Sequence, residues 1–332
     1  MIFKNILLHN VDQLLPTEDG GFAMLRAPLS VEQHLADPGP RANRIATGME
    51  LRFVIRSGTA RIKILCSNAY VYYGNIQGGW QVVCSKGSDE PRWIEIALDT
   101  DRMPTFERIA KENNHPFSPQ VVRIIPESGI APVIYDVEGD VEVPSAELMP
   151  QKTIMAFGSS ITHGSLSMLP MTTWIAQLAD NLGTDYLNRG YSGSCHAEPE
   201  MVDYLCTLDF DCAIVSFGAN MSRYTIELYE ERARYLITTL CKAHPDRKFI
   251  FVDATYQASD IFSGEEGIMA QYRKIMSRLM AEYSFPNAKY VCGLELLDGS
   301  WGVSGDLVHP NIVGVNTIAN RLTPIAKEWF EL

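Results

Sequence analysis

Between about residue 50 and residue 143 the chain alternates apolar and polar side chains over short runs, as in Arg61-Ile62-Lys63-Ile64. A two-residue period puts successive side chains on opposite faces of a strand. The pattern predicts strands at Met49–Arg56, Ala60–Leu65, Tyr70–Tyr73, Trp80–Val83, Arg92–Leu98, Gln120–Ile125 and Val133–Val137. Ser57-Gly58, Gly78-Gly79 and Lys86-Gly87-Ser88 supply turns between them. Several short strands punctuated this way predict a β-sandwich or jelly roll.

From Thr153 the period changes. Short apolar strands are predicted at Thr153–Phe157, Asp185–Leu187, Cys212–Phe217, Lys248–Asp253 and Lys289–Cys292. Between and after them, helical spacing predicts helices at Thr172–Leu182, Glu200–Cys206, Ile226–Ala243, Gly267–Tyr283 and Asn311–Phe330. Strands alternating with helices predict an α/β domain, a parallel sheet with helices on both faces. Gly139–Pro150, carrying Pro144 and Pro150, reads as the linker. The expected organisation is a smaller all-β, jelly-roll-like domain over 1–145, with substrate or carbohydrate binding as its candidate role, and an α/β domain over 146–332. No internal repeat is evident.

Composition narrows the partners. The formal net charge is −12, and no Lys/Arg cluster offers a basic face. Nucleic acid and anionic membrane are therefore not expected partners. The N-terminal apolar run is broken by Lys4-Asn5 and stops at His9, which argues against a secretory signal. No stretch is long and apolar enough to span a bilayer. Seven cysteines, an odd number without a CxxC pair, predict reduced thiols in a cytoplasmic protein. No zinc-ligand spacing is present, and no metal or cofactor is expected. Homo-oligomerisation stays open.

In a parallel sheet, functional groups collect on the loops after the strands. Here those loops carry Gly158-Ser159-Ser160-Ile161-Thr162-His163, then Asn188-Arg189-Gly190-Tyr191-Ser192-Gly193, then Gly218-Ala219-Asn220, and finally Asp306-Leu307-Val308-His309. This is what acyl transfer requires. A serine hydroxyl needs a base, for which His309 is the candidate. Asp306, three residues earlier, is placed to hold the imidazole tautomer. A tetrahedral oxyanion needs fixed donors, and the candidates are the Ser160 and Gly193 amides and the Asn220 side chain.

These four blocks, in this order, resemble the signature blocks of the SGNH (GDSL-type) hydrolases. Gly158-Ser159-Ser160-Ile161-Thr162 resembles the first block, with Ser159 where an Asp is usual, and it implies Ser160 as nucleophile. The second block implies an oxyanion glycine at Gly193. The third implies an oxyanion Asn at Asn220, although Met221 follows where an Asp is usual. Asp306-Leu307-Val308-His309 resembles the last block without departure. The resemblance covers about residues 152 to 331. It implies a flavodoxin-like three-layer fold and metal-free hydrolysis of carboxylic esters. A β-sandwich ahead of such a domain resembles some carbohydrate acetyl esterases and some acyl-tailoring enzymes, so an acylated carbohydrate joins other small esters as a candidate substrate.

Bland readings stand beside these. His163 and His196 are expected to line the pocket, and His244 ends a helix, where a cation suits the dipole. Cys195 near the site is an alternative nucleophile that lacks a nearby partner acid. Trp301 either walls the acyl or alcohol pocket or anchors its own glycine-flanked loop. Tyr70, Tyr72, Tyr73, Trp80 and Trp93 either stack on sugar rings or belong to the β core. No G-x-S-x-G occurs, which argues against an α/β-hydrolase elbow. The reaction expected is small-acyl ester hydrolysis. Acyl transfer through the same serine, and an inactive ligand-binding protein, are the alternatives.

Overall fold

The computed structural model describes residues 1–81 and 90–332, and the side chains of all of these except 79–81. The expected strand Trp80–Val83 is thus described only at its start, within the strand Ile76–Gln81. Its remainder, Cys84, the turn Lys86-Gly87-Ser88 and the Trp80 side chain lie outside the described residues.

The chain divides into two compact units. One comprises Met1–Leu29, Asn43–Gln151 and Gly183–Asp185, the other Ser30–Ala42, Lys152–Leu182 and Tyr186–Leu332. The sequence places the division at 145/146, whereas the main change of unit follows Gln151. The chain beyond Pro144 still holds to the first unit, because the Ser118 amide donates to the Leu148 carbonyl (2.9 Å). The segment Ser30–Ala42, expected with the β domain, counts with the second unit.

The first unit is an antiparallel β structure built on one long strand, Glu50–Leu65. Two strands and a Ser57-Gly58 turn were expected there. Gly58 does take a left-handed φ of +71°. However, the partner strand Val133–Glu142 pairs on both sides of it and slips register around Asp140. The glycine therefore marks a bend inside a continuous strand, not a hairpin. The long strand pairs with Ile6–His9 and Val121–Pro126 through its first half and with Arg92–Ala97 through its second. Leu51, Phe53, Ile55, Ile62 and Ile64 are buried and form the core with Ile124 and Ile134.

Four short N-terminal strands and the helix Met103–Glu112 also belong to this unit and have no counterpart in the sequence reading. Strands of two to four residues show too little period to recognise. The helix was signalled by Pro104 in its first turn, where a missing N–H costs nothing. Of the aromatics considered for sugar stacking, Tyr70 is buried, Tyr73 packs on Phe106 and Trp93 lies under the Arg61 guanidinium.

A buried charge network lies in the same unit. Arg52 donates to Glu50 (2.8 Å) and, through both terminal nitrogens, to Asp185 (2.5 and 2.8 Å). Arg123 donates to both oxygens of Glu50 (2.8 and 2.6 Å). Burial alone would raise the Glu50 carboxyl, but Arg123 and Arg52 outweigh it and hold the group well below the usual carboxylate range.

The second unit is a five-stranded sheet of Thr153–Gly158, Asp185–Gly190, Cys212–Ser216, Lys248–Val252 and Ala288–Val291. In chain order the strands lie second–first–third–fourth–fifth. The pairings of the first with the third, the third with the fourth and the fourth with the fifth are parallel, with Ile154 opposite Cys212 and Cys212 opposite Lys248. Both faces are covered, so the strands read as continuous apolar runs. Ile154, Ile214 and Ile250 meet the helices Trp174–Leu182 and Ile312–Phe330 on one face. The helices Ile226–Ala243 and Ile268–Tyr283 pack together elsewhere, with Tyr229 stacked between Phe217 and Tyr272. This is the doubly wound α/β arrangement expected from the alternation. Its switch point lies at the C-terminal end of the first strand, between the second and third, where such sheets bind ligands.

Candidate active site

Ser160 stands at that switch point. The first strand ends at Gly158, Ser159 is the N-cap, and Ser160 opens the one-turn helix Ser160–His163. The two adjacent serines separate cleanly. Ser159 Oγ accepts the Ile161 amide (3.3 Å), as capping serines do. Ser160 Oγ instead lies 2.7 Å from His309 Nε2. As the first residue of a helix, Ser160 has an amide without an intrahelical acceptor.

His309 comes from the loop before the last helix. Its Nδ1 is 2.7 Å from Asp306 Oδ2. The other oxygen of Asp306 accepts the Val308 and His309 amides (2.9 Å each) and the Ser304 hydroxyl (2.7 Å). Spacing of three residues lets one carboxylate hold both the backbone and the ring of the histidine. Partial burial works against the Asp306 charge, but the His309, Ser304 and Val308 bonds prevail and hold its carboxyl well below the usual range. An ionised Asp306 then fixes Nδ1 as the protonated nitrogen and leaves Nε2 to accept from Ser160.

The second block reaches the site from the end of the second strand. Asn188 is buried and ties it to the first block, donating to the Thr162 carbonyl (2.8 Å) while accepting the Gly190 amide (2.9 Å). Gly190 cannot carry a side chain, because a Cβ there would stand 2.2 Å from the His163 amide nitrogen. Gly193 turns the chain with φ +73°. Asn220 sits in the 3-10 turn Ala219–Met221 after the third strand. Its Oδ1 accepts the Cys195 amide (3.1 Å), which fixes the side-chain orientation and leaves Nδ2 as the free donor end. Nothing in the sequence flagged this use of Cys195, since it is a backbone contact. The Cys195 thiol is fully buried, and burial with Glu198 nearby pushes it far above its usual value. A thiolate is thus disfavoured there.

The remaining expected pocket residues lie as follows. His163 is buried, with Nδ1 3.0 Å from the Gly190 carbonyl. His196 packs edge-on against Tyr224 at 5.0 Å, with Nδ1 3.4 Å from Glu198. Trp301 is half exposed on the turn Ser300–Gly302, and its indole folds back over Gly299. His244 meets the Cys206 carbonyl (2.9 Å) and Phe210. The structure therefore joins Ser160, His309 and Asp306 in one hydrogen-bonded chain and sets His163 against Gly190. Among the described residues, no group of three or more His, Cys, Asp or Glu is arranged to hold a metal ion. Among them, too, no helix is long and apolar enough to cross a membrane.

Comparison with known proteins bears on the fold. The fold is similar to that of the salicylyl-acyltransferase SsfX3 from a tetracycline biosynthetic pathway, with a TM-score of 0.77 at 15% identity over 96% of this chain and 93% of that one. It is also similar to a family two carbohydrate esterase from Cellvibrio japonicus (TM-score 0.63, 12% identity, 98% and 96% of the two chains). A family two carbohydrate esterase from Clostridium thermocellum, solved with cellohexaose, matches with a TM-score of 0.58 at 14% identity over 89% and 98%. No curated protein matches the chain. The model of the GDSL-like lipase/acylhydrolase family matches residues 151–327, more than half of the chain and every residue of the four blocks, so this protein belongs to that family.

Proposed function

We propose that the protein is a serine esterase that cleaves carboxylic esters of small acyl groups through an acyl-enzyme on Ser160. The observation that carries this reading is the continuous chain Ser160 Oγ–His309 Nε2 and His309 Nδ1–Asp306 Oδ2, each link 2.7 Å. Ser160 Oγ attacks the ester carbonyl while His309 Nε2 takes its proton. The C–O bond to the alcohol breaks, and His309 returns that proton to the leaving oxygen. Water repeats the cycle on the acyl-enzyme and frees the acid. Asp306 stabilises the imidazolium at both steps. The oxyanion is received by the Ser160 and Gly193 amides and by Asn220 Nδ2. The domain over 146–332 carries this chemistry, and the β domain bears on substrate choice.

Acetyl groups on a carbohydrate are the natural-substrate class we favour, because family two carbohydrate esterases share the fold along nearly the whole chain. A panel of chromogenic esters of graded chain length, run beside acetylated sugars, tests this. Activity falling steeply beyond short acyl chains, with release of acetate from the sugars, is expected. A preference for long chains would overturn the small-acyl reading. The same acyl-enzyme could be relieved by an alcohol or amine in place of water, as the likeness to a salicylyl-acyltransferase brings to mind. Product analysis with acceptors present separates the two.

A further inference from the structure

We infer that Ser30–Ala42 is a positioning strap for the oxyanion loop, an inference that rests on the serine mechanism proposed above. These residues lie in sequence between the four short N-terminal strands and the long strand Glu50–Leu65 but count with the second unit. They hold the loop 193–198 at three points. Ser194 Oγ donates to the Ala36 carbonyl (2.8 Å). The Ala36 amide donates to Glu198 Oε1 (3.2 Å). Pro38 covers Gly193 so closely that a Cβ on the glycine would stand 2.9 Å from Pro38 Cγ. Ser194 and Glu198 are both buried. Glu198 is the N-cap residue of the helix Pro199–Leu205, yet its side chain makes no capping bond and reaches the strap instead.

The loop needs such support. Gly193 and Ala197 both have positive φ, +73° and +50°. For a buried alanine that conformation is unfavourable and persists only when its surroundings over-determine it. On its other flank the loop is bound to the catalytic apparatus, because the Cys195 amide holds Asn220 Oδ1 (3.1 Å). Residues 193–198 are therefore clamped between the strap and Asn220. Displacing the strap side shifts the Gly193 amide and turns the Asn220 donor together. Oxyanion donors act through fixed geometry, so such a shift lowers kcat more than it weakens substrate binding.

Two strap-side variants test this in the full-length protein. Ser194→Ala removes the bond to Ala36. Gly39→Ala puts a methyl 2.5 Å from both Ser194 Oγ and Leu35 Cβ, so it disturbs the strap and its contact with Ser194 together. Each is expected to lower kcat roughly tenfold with KM changed less than about twofold. Asn220→Ala alone should lower kcat by roughly 10²–10³. The deciding readout is the double variant Ser194→Ala/Asn220→Ala, in which the Ser194 effect should shrink well below the roughly tenfold of the single variant, because the share exerted through Asn220 is already lost and only the share through the Gly193 amide remains. Losses that multiply in full, or two folded single variants with wild-type kcat, would overturn the strap. A normal kcat in folded Asn220→Ala would instead count against the mechanism itself and take this inference with it.

Discussion

Asp306 holds His309 by both ring and backbone, yet its own side chain is 45% exposed. Water can therefore replace part of what the carboxylate does. We expect Asp306→Ala to lower kcat by roughly 10²–10⁴, less than Ser160→Ala does. Equal losses would show that the carboxylate is as indispensable as the nucleophile. The two serines offer the sharper contrast. Ser159 caps a helix, so Ser159→Ala should cost about 1 kcal/mol of stability and leave turnover within a few-fold. Thermal denaturation beside kcat checks both halves. At this scale the residue types were legible in the sequence, because Ser, Gly and Asn each follow a strand and Asp-x-x-His precedes the last helix. The contacts between them were not. That Cys195 lends its amide to Asn220, or that Gly190 must lack a side chain to admit His163, depends on backbone approach and has no signature in residue type.

The loop after the fourth strand shows how one element answers to pH. Asp253 is fully buried and accepts hydrogen bonds from Tyr290 and from the Gly293 amide (2.6 Å). Burial dominates those bonds and pushes its carboxyl up to about 6. A folded value above the unfolded one means that the native state binds more protons in the interval between them. The contribution of Asp253 is therefore fully present below about pH 4, and it is lost as pH rises to about 6. Asp253→Asn should flatten the Tm–pH profile between these limits. An unchanged slope would contradict the raised carboxyl. Long elements were the easiest to read: Ile226–Ala243 occurs with the bounds its amphipathic spacing predicted, and the closing helix differs only in that Asn311 caps it. Gly58 was misread because a glycine signals left-handed φ, not the reversal of a chain. Only the pairing of Val133–Glu142 across it reveals the continuous strand.

For the molecule as a whole, acid stability should be governed by charges that the catalytic mechanism does not use. Glu50, Arg52, Arg123 and Asp185 are all buried, and each acid is held by an arginine. For Glu50 and Asp185 the folded carboxyl is lowered, so their contribution is present above the ordinary carboxylate range and is lost as pH falls through the folded values. Arg52→Met takes from Asp185 its two-pronged arginine, with His9 still 3.6 Å away, and from Glu50 one of its two arginines. It should cost about 3–5 kcal/mol by chemical denaturation at neutral pH. A cost below about 1 kcal/mol would show the network to be dispensable. The broad plan, a β domain followed by an α/β domain, could be read from the change of hydrophobic period at Thr153. The allocation of Ser30–Ala42 could not, since side-chain contacts such as the Pro38 ring on Gly193 and the Ser194 and Glu198 bonds to Ala36 attach it. Ser160 as the acyl acceptor is the centre of the proposed mechanism. The most direct measurement is peptide mass spectrometry of the folded protein after reaction with a fluorophosphonate. One label on Ser160, absent from Ser160→Ala and retained in Ser159→Ala, is the result predicted. A label on Ser159 or Cys195, or a folded wild-type protein that takes no label, would contradict it.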